Sequence, residues 1–246
     1  MTLSATTLLY RDDARLASAE ATVVGLGARG GILLDRTVFY PTGGGQPGDR
    51  GRMVASDGTV TEIATAVWED DGKTVIAHVA AEGAPIPPAG ATVRLELDWP
   101  RRHRLMRMHT AMHLLSVVLP FPVTGGAVGE EEGRLDFDIP EADLDRARLD
   151  AALAELVAAD HPVTTEWITD AELDARPDLV KTMSVQPPRG SGRIRLVRIG
   201  SGATTIDLQP CGGTHVASTG EIGGVSITKV EKKGRINRRV RIRFTD

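Results

Sequence analysis

The chain has 246 residues, 41% hydrophobic, 25% charged and only 4% aromatic, with a formal net charge of −4. That length holds one large domain or two small ones, and the composition is that of a globular protein whose core is built from Val, Ile, Leu and Ala. No run approaches the roughly 18 apolar residues of a membrane span, the N-terminus MTLSATTLLYRDD lacks the basic start of a secretory signal, and a single cysteine, Cys211, excludes an intramolecular disulfide. A cytoplasmic protein without membrane attachment is expected.

Residues 1–98 read as β-structure. Runs at 21–25, 31–34, 60–67, 74–79 and 91–97 are rich in Val, Ile and Thr, and Gly, Asp and Pro punctuate them at the spacing of a small barrel or sandwich. The stretch 82–90, EGAPIPPAG, reads as a rigid loop. Residues 39–51, FYPTGGGQPGDRG, are glycine-rich but not a P-loop, because no Gly-Lys-Ser/Thr and no long helix follows. This stretch is either a β-turn loop or a backbone-rich surface that a substrate approaches closely, with Gln46 as the polar side chain on offer.

The character changes at Asp98. A capping Asp, then Trp99 and Pro100, opens a helix over 101–119 in which Leu105, Met108, Met112, Leu115 and Leu119 recur at helical spacing; Pro120 ends it. A domain boundary is expected near 98. A short apolar run, a helix near 141–159, a strand at 163–168, a Pro/Arg/Gly-rich loop at 186–192 and strands at 194–199, 204–208, 225–230 and 238–244 complete the chain. Helices and strands without strict alternation imply an α+β fold.

Charge is unevenly spread. Basic residues cluster at Arg101, Arg102, Arg104 and Arg107 and again from Lys229 to Arg243, where Glu231 is the only acid. Each cluster is a solvated face or a phosphate-binding stripe. Interleaved aromatics, the mark of base stacking, are missing.

Two pairs of residues carry metal chemistry. His109 and His113, four apart on a helix, face one way. Cys211 stands four residues before His215 in CGGTH, where Gly212 and Gly213 are expected to turn the backbone tightly. Each pair alone is weak. Together, three of the six histidines and the only cysteine form a Cys/His donor set that favours Zn2+ over hard cations.

The string HTAMHLL at 109–115, CGGTHV at 211–216 and TGEIG at 219–223 resemble the editing domain of alanyl-tRNA synthetases and their free-standing homologues. The threonyl editing domain shares the His-pair and Cys-His elements; TGEIG is the more alanyl-like feature. FYPTGGGQPGDRG resembles the glycine-rich motif of the same family, and the resemblance runs from about Thr37 to Phe244. It implies an α+β protein: a small β-barrel domain over 1–98, then a zinc-binding α+β editing domain over 99–246. The implied activity is trans-editing: hydrolysis of the ester of mischarged tRNA(Ala), Ser-tRNA(Ala) above all and Gly-tRNA(Ala) as a second substrate. Editing is needed because an alanine pocket does not fully exclude glycine or a residue with one extra hydroxyl. Zinc is the implied cofactor, held by His109, His113, Cys211 and His215, with Gln46 and Thr124 as further site residues. Thr124 would recognise the serine hydroxyl, and backbone N–H groups of 43–45 and 212–213 would meet a developing oxyanion. No motif for ATP is present. The alternatives are a non-catalytic, zinc-stabilised tRNA-binding module, a small-molecule zinc hydrolase, and an editor of another mischarged tRNA such as Ser-tRNA(Thr).

Overall fold

The computed structural model describes residues 4–139, 144–182 and 192–245. Contacts divide the chain into two compact units, Met1–His103 and Arg104–Asp246. The first contains β1 (Thr7–Leu8), the short helix α1 (Leu9–Asp12), β2 (Ser18–Leu26), β3 (Ile32–Leu34), β4 (Arg36–Thr37), β5 (Gly51–Ala55), β6 (Val60–Trp68), β7 (Ile76–Ala80) and β8 (Thr92–Leu97). Six of these strands close a barrel in the order β2-β3-β7-β6-β5-β8, and β1 pairs in parallel with β4. Closure follows from the period-two burial of the long strands. Ala21 and Val23 of β2, Ile63 of β6, and Val93 and Leu95 of β8 turn inward onto Ile32, Leu34, Met53 and Ile76. Each such aliphatic side chain contributes about 1.5–3 kcal/mol by leaving water.

Inside the barrel unit His78 is among the fully buried polar groups, with Thr37 and Arg102. His78 donates from Nδ1 to the Ile32 carbonyl at 2.9 Å, which leaves Nε2 to accept the Thr37 hydroxyl at 2.7 Å. Burial pushes the ring down to about 4, against the Ile32 carbonyl, which pulls the other way.

The glycine-rich stretch is a tight turn. Gly43 and Gln46 exchange backbone hydrogen bonds, and Gly44 and Gly45 between them have φ of +57° and +82°, the left-handed pair that a two-residue hairpin turn demands. Gly48 is glycine for another reason: a Cβ there would stand 2.2 Å from the Ala66 carbonyl oxygen. Gln46 is 1% exposed, so its side chain is buried and not on offer at the surface. Asp49 closes the stretch by accepting from the Tyr40 N–H at 2.6 Å and by pairing with Arg102, both side chains being fully buried.

The expected helix is α2 (Trp99–Val118). Asp98 caps it, accepting from the Arg101 N–H at 3.2 Å. The division between units falls inside α2. Then come β9 (Val123–Ala127), β10 (Glu132–Asp138), α3 (Arg146–Ala158), β11 (Val163–Ile168), α4 (Asp170–Asp174), β12 (Ile194–Ile199), β13 (Asp207–Pro210), β14 (Val225–Lys232) and β15 (Asn237–Phe244). They form a four-stranded sheet, β14-β15-β10-β9, and a three-stranded sheet, β11-β12-β13, both antiparallel. The expected loop at 186–192 lies, except for Gly192, outside the described residues. The strand expected at 204–208 begins later, at Asp207, because a 3-10 turn (Gly202–Thr204) precedes it. Helix α2 lies close on one face of the four-stranded sheet: a Cβ on Gly133 would meet the Met108 and Met112 sulfurs at 2.8 Å. No helix among the described residues is long and apolar enough to cross a membrane.

Two stability predictions follow from these buried polar groups. The unfolded imidazole of His78 protonates below its ordinary 6.5, the folded one only at about 4. Its contribution is therefore complete above pH 6.5 and is lost as pH falls toward 4, on the order of 3 kcal/mol. Urea unfolding of wild type and His78→Gln across that window should show the variant falling less steeply. Asp49→Asn strips the counter-charge from a buried guanidinium and should cost about 3–5 kcal/mol, read as a lower urea midpoint at unchanged slope.

Candidate metal centre

The one-turn spacing of His109 and His113 on α2 turns both rings to the same side, and the segment after β13 brings Cys211 and His215 to meet them. One donor atom from each of the four lies within 4.8 Å of the others. The Cys211 sulfur is 3.3 Å from His215 Nε2 and 3.6 Å from His109 Nε2. A tetrahedron around an ion with bonds of about 2.0 Å to nitrogen and about 2.3 Å to sulfur has edges of roughly 3.5 Å, so these separations suit a shared cation. The histidines are 6–7% exposed. Three buried imidazoles and one half-buried thiol, with nitrogen and sulfur facing inward, form a donor set that fits a metal ion.

The second nitrogens of two rings explain their aim. His113 Nδ1 bonds Asp207 Oδ2 at 2.9 Å, so its Nε2 turns to the cluster. His215 Nδ1 is 3.1 Å from the Thr110 hydroxyl, which leaves its Nε2 beside Cys211. Asp207 is itself anchored by Lys181 Nζ at 2.5 Å and by Gln209 Nε2 at 2.8 Å, and Gln209 also reaches Ser116 of α2. A carboxylate that fixes the ring and tautomer of a metal-binding histidine is a common outer-shell arrangement. Arg195 holds the cysteine loop by donating to the carbonyls of Cys211 and Gly213, both at 2.9 Å.

The same contacts set the ionisation of these groups. Burial opposes ionisation of Asp207, but His113 and then Lys181 outweigh it and hold the carboxyl at about 2. Burial opposes charge on His113 too, yet Asp207 and then Cys211 hold it up to about 9. His215 goes the other way, to about 3, pushed by burial and then by His109. The Cys211 thiol, despite burial, sits well below its ordinary value because His109 and His215 favour the thiolate, and the Gly213 N–H points at its sulfur at 3.4 Å. Thiolate is the form that binds metal.

The other expected residues fall in different places. Thr124, on β9, accepts from Asn237 Nδ2 at 2.8 Å and donates to the Asp136 carbonyl at 3.2 Å. Gly212 and Gly213 do not have positive φ, and around a Cβ at Gly212 there is open space. The Gly43 and Gly213 N–H groups, expected to face an oxyanion, donate instead to the Gln46 carbonyl and the Cys211 sulfur. The arginines of α2 all have partners within the protein. Arg101 donates to the Gly48 carbonyl, Arg102 pairs with Asp49, Arg104 reaches Glu130 and Glu131, and Arg107 bonds the Ile222 carbonyl beneath the Phe244 ring. TGEIG is also spent on the fold: the Thr219 hydroxyl donates to the Leu156 carbonyl and accepts from the His161 N–H.

Asp207, Lys181, Gln209, Thr110 and Arg195 were not singled out from the sequence. A signal existed for Asp207 alone, since an acid between Ile206 and Leu208 in an apolar strand needs a buried partner.

Comparison with known proteins fixes the class. Residues 194–241, from β12 to β15, match the family described as the threonyl and alanyl tRNA synthetase second additional domain. Residues 5–101 match the family described as tRNA synthetases class II (A). At full length the chain is 34% identical to the alanyl-tRNA editing protein AlaX-M of Methanosarcina acetivorans, covering 98% of this chain and 100% of that one. It is 34% identical to AlaX-L of Pyrococcus horikoshii, over 83% of this chain and 48% of the other. It is also 37% identical to an alanine–tRNA ligase of Pyrobaculum neutrophilum, over 91% of this chain and 25% of the ligase. The chain belongs to the AlaX family of alanyl-tRNA editing proteins.

Asp207→Asn keeps the shape but removes the charge that orients His113. It should weaken metal binding about 10–100-fold, measured by competition with a chromogenic chelator.

Proposed function

We propose that this protein is a trans-editing deacylase that hydrolyses the ester of mischarged tRNA(Ala), with Ser-tRNA(Ala) as its principal substrate and Gly-tRNA(Ala) as a second. The observation that carries the reading is the cluster of His109, His113, Cys211 and His215 in a chain aligned end to end with AlaX-M. The barrel residues 1–98 and the residues 99–246 are the two working parts, the second holding the chemistry, and the protein acts in the cytoplasm on tRNA without ATP.

The cluster suits Zn2+, because three imidazole nitrogens and one thiolate are borderline-to-soft donors. Bound there, the ion would supply a positive charge able to polarise an ester or water oxygen placed against it. The chain's own residues do the rest. Asp207 and Thr110 hold the His113 and His215 rings so that Nε2 faces the cluster, and the Gly213 N–H and neighbouring imidazoles hold Cys211 as thiolate.

Thr124 is proposed to discriminate serine. What supports it is a short path of contacts: the Val123 N–H donates to the Lys181 carbonyl, and Lys181 pairs with Asp207, the partner of His113. Thr124 would exchange one of its partners, Asn237 or Asp136, for the serine hydroxyl, a bond that alanine has no group to make. Gln46 enters the reading through the glycine turn that it closes.

The test is deacylation of labelled Ser-tRNA(Ala), Gly-tRNA(Ala) and Ala-tRNA(Ala) by wild type and Cys211→Ala, with metal content measured. Wild type should release serine at least about 100-fold faster than alanine, and the variant should lose metal and activity together. Survival of the serine ester with metal-loaded wild type would overturn the reading.

A further inference from the structure

The basic C-terminal segment is two surfaces with different electrostatics. Along the strand face most charges are already answered, Arg243 excepted. Arg239 pairs with Asp136 at 2.7 Å, Arg241 with Glu231 at 2.9 Å and Glu132 at 2.5 Å, Arg134 with Asp136 at 2.6 Å, and Lys229 with Glu231 at 3.2 Å. The pairing registers of β10, β15 and β14 set these residues side by side, so the acids are built into the sheet. A face neutralised in this way has little left for a phosphate backbone.

The tip of the β14–β15 hairpin is different. Lys232, Lys233 and Arg235 are exposed, and among the described residues no carboxylate pairs with Lys232, Arg235 or Arg238. Lys233 has only a share of Glu231, at 3.4 Å. Lys232 and Arg238 are moreover directly opposite in the ladder, a like-charge placement that destabilises a hairpin unless an anion lies between or beside them. Arg238 spends one guanidinium nitrogen on the carbonyls of Gly234, Arg235 and Asn237, which stiffens the turn.

The base of the tip is joined to the metal centre by a run of contacts. Asn237, at its base, bonds Thr124; the Ile139 N–H bonds the Ile236 carbonyl; Val123 bonds Lys181; Lys181 bonds Asp207; and Asp207 bonds His113.

We infer that the hairpin tip, through Lys232, Lys233 and Arg235, is the contact of this protein with the RNA phosphate backbone close to the acylated end, and that the strand face is not. This rests on the reading of tRNA as substrate. Exposed, unanswered cations on a stiff turn suit phosphates: each contact releases condensed counterions and steepens the salt dependence of binding. No aromatic stands at the tip, so contact is to the backbone and not to bases.

The experiment compares wild type, Lys232→Ser/Lys233→Ser/Arg235→Ser, Lys232→Arg/Lys233→Arg/Arg235→Lys, and Arg243→Ser. Arg243 is an exposed cation, also without a carboxylate partner among the described residues, six residues along β15 from Asn237, roughly 20 Å away. Uncharged tRNA(Ala) is the binding probe, titrated from about 50 to about 300 mM KCl, and KM and kcat are read on Ser-tRNA(Ala). The serine triple variant should bind about tenfold or more weakly, with a salt slope shallower by about 2–3 and kcat unchanged; the charge-keeping triple variant and Arg243→Ser should behave as wild type. An unchanged salt slope in the serine variant, equal loss from Arg243→Ser, or no tRNA binding by wild type would each overturn the inference. Tip-dependent binding without ester cleavage would sink the deacylase reading and leave this one standing.

Discussion

The metal centre depends on how β13 is docked against α2 through buried polar groups. Its four donors come from two segments about a hundred residues apart, and apolar packing alone would not fix the rotation of four side chains. Asp207 to His113 and Gln209 to Ser116 tie strand to helix from one side, and Thr110 to His215 ties the following loop to the same helix. Each of these groups costs free energy to bury unless its partner is in place. The arrangement is therefore close to all-or-none: the contacts that lock the rings are formed together or not at all. The same docking separates the ionisation of neighbouring groups, with Asp207 held at about 2 and His215 at about 3 while His113 is held up at about 9.

Charge is handled in opposite ways in the two units. In the barrel unit a single ion pair, Arg102 with Asp49, is taken fully out of water and given further partners in the Ala14 and Val38 carbonyls. On the four-stranded sheet the ion pairs are mostly half-buried and shared, with Glu231 and Asp136 each serving more than one cation. Pairs still open to solvent contribute little individually. Their effect is to cancel a field that the linear sequence shows as strongly basic. The arginines of α2 repeat the lesson, for a cluster that reads as a phosphate-binding stripe is engaged with backbone carbonyls and local carboxylates.

Where the sequence was legible, the physics was local. The helix from Trp99 is announced by its capping Asp98 and its apolar period, and β11 and β12 by β-branched runs, so these elements appear where the pattern puts them. β9 and β10 carry no such signal because VTGGA and EGRLDFD are poor in β-branched residues; the nearness of α2 explains Gly133 and, beside Leu135, Gly126. The donor set was readable because scarce residue types repeat at four-residue spacing. Its supporting shell was not, since Lys181, Gln209 and Arg195 are common residues whose role arises only when distant strands meet. Likewise, no linear reading of Lys229 to Arg243 reveals Asp136 and Glu132 on the neighbouring strand.

The seam between α2 and the sheet has a consequence for tolerance to change. Met108 and Met112 each stand one residue before a metal-cluster histidine, and their thioethers press on Gly133, with Met112 also reaching Gly126. An unbranched thioether is the most deformable apolar side chain available to a core. It acts as a shim: a small shift of β9 or β10 is absorbed by methionine torsions before it reaches the imidazoles next door. The sheet is thereby free to drift in sequence, and to carry a different pattern of surface charge, without re-aiming the donors that α2 supplies.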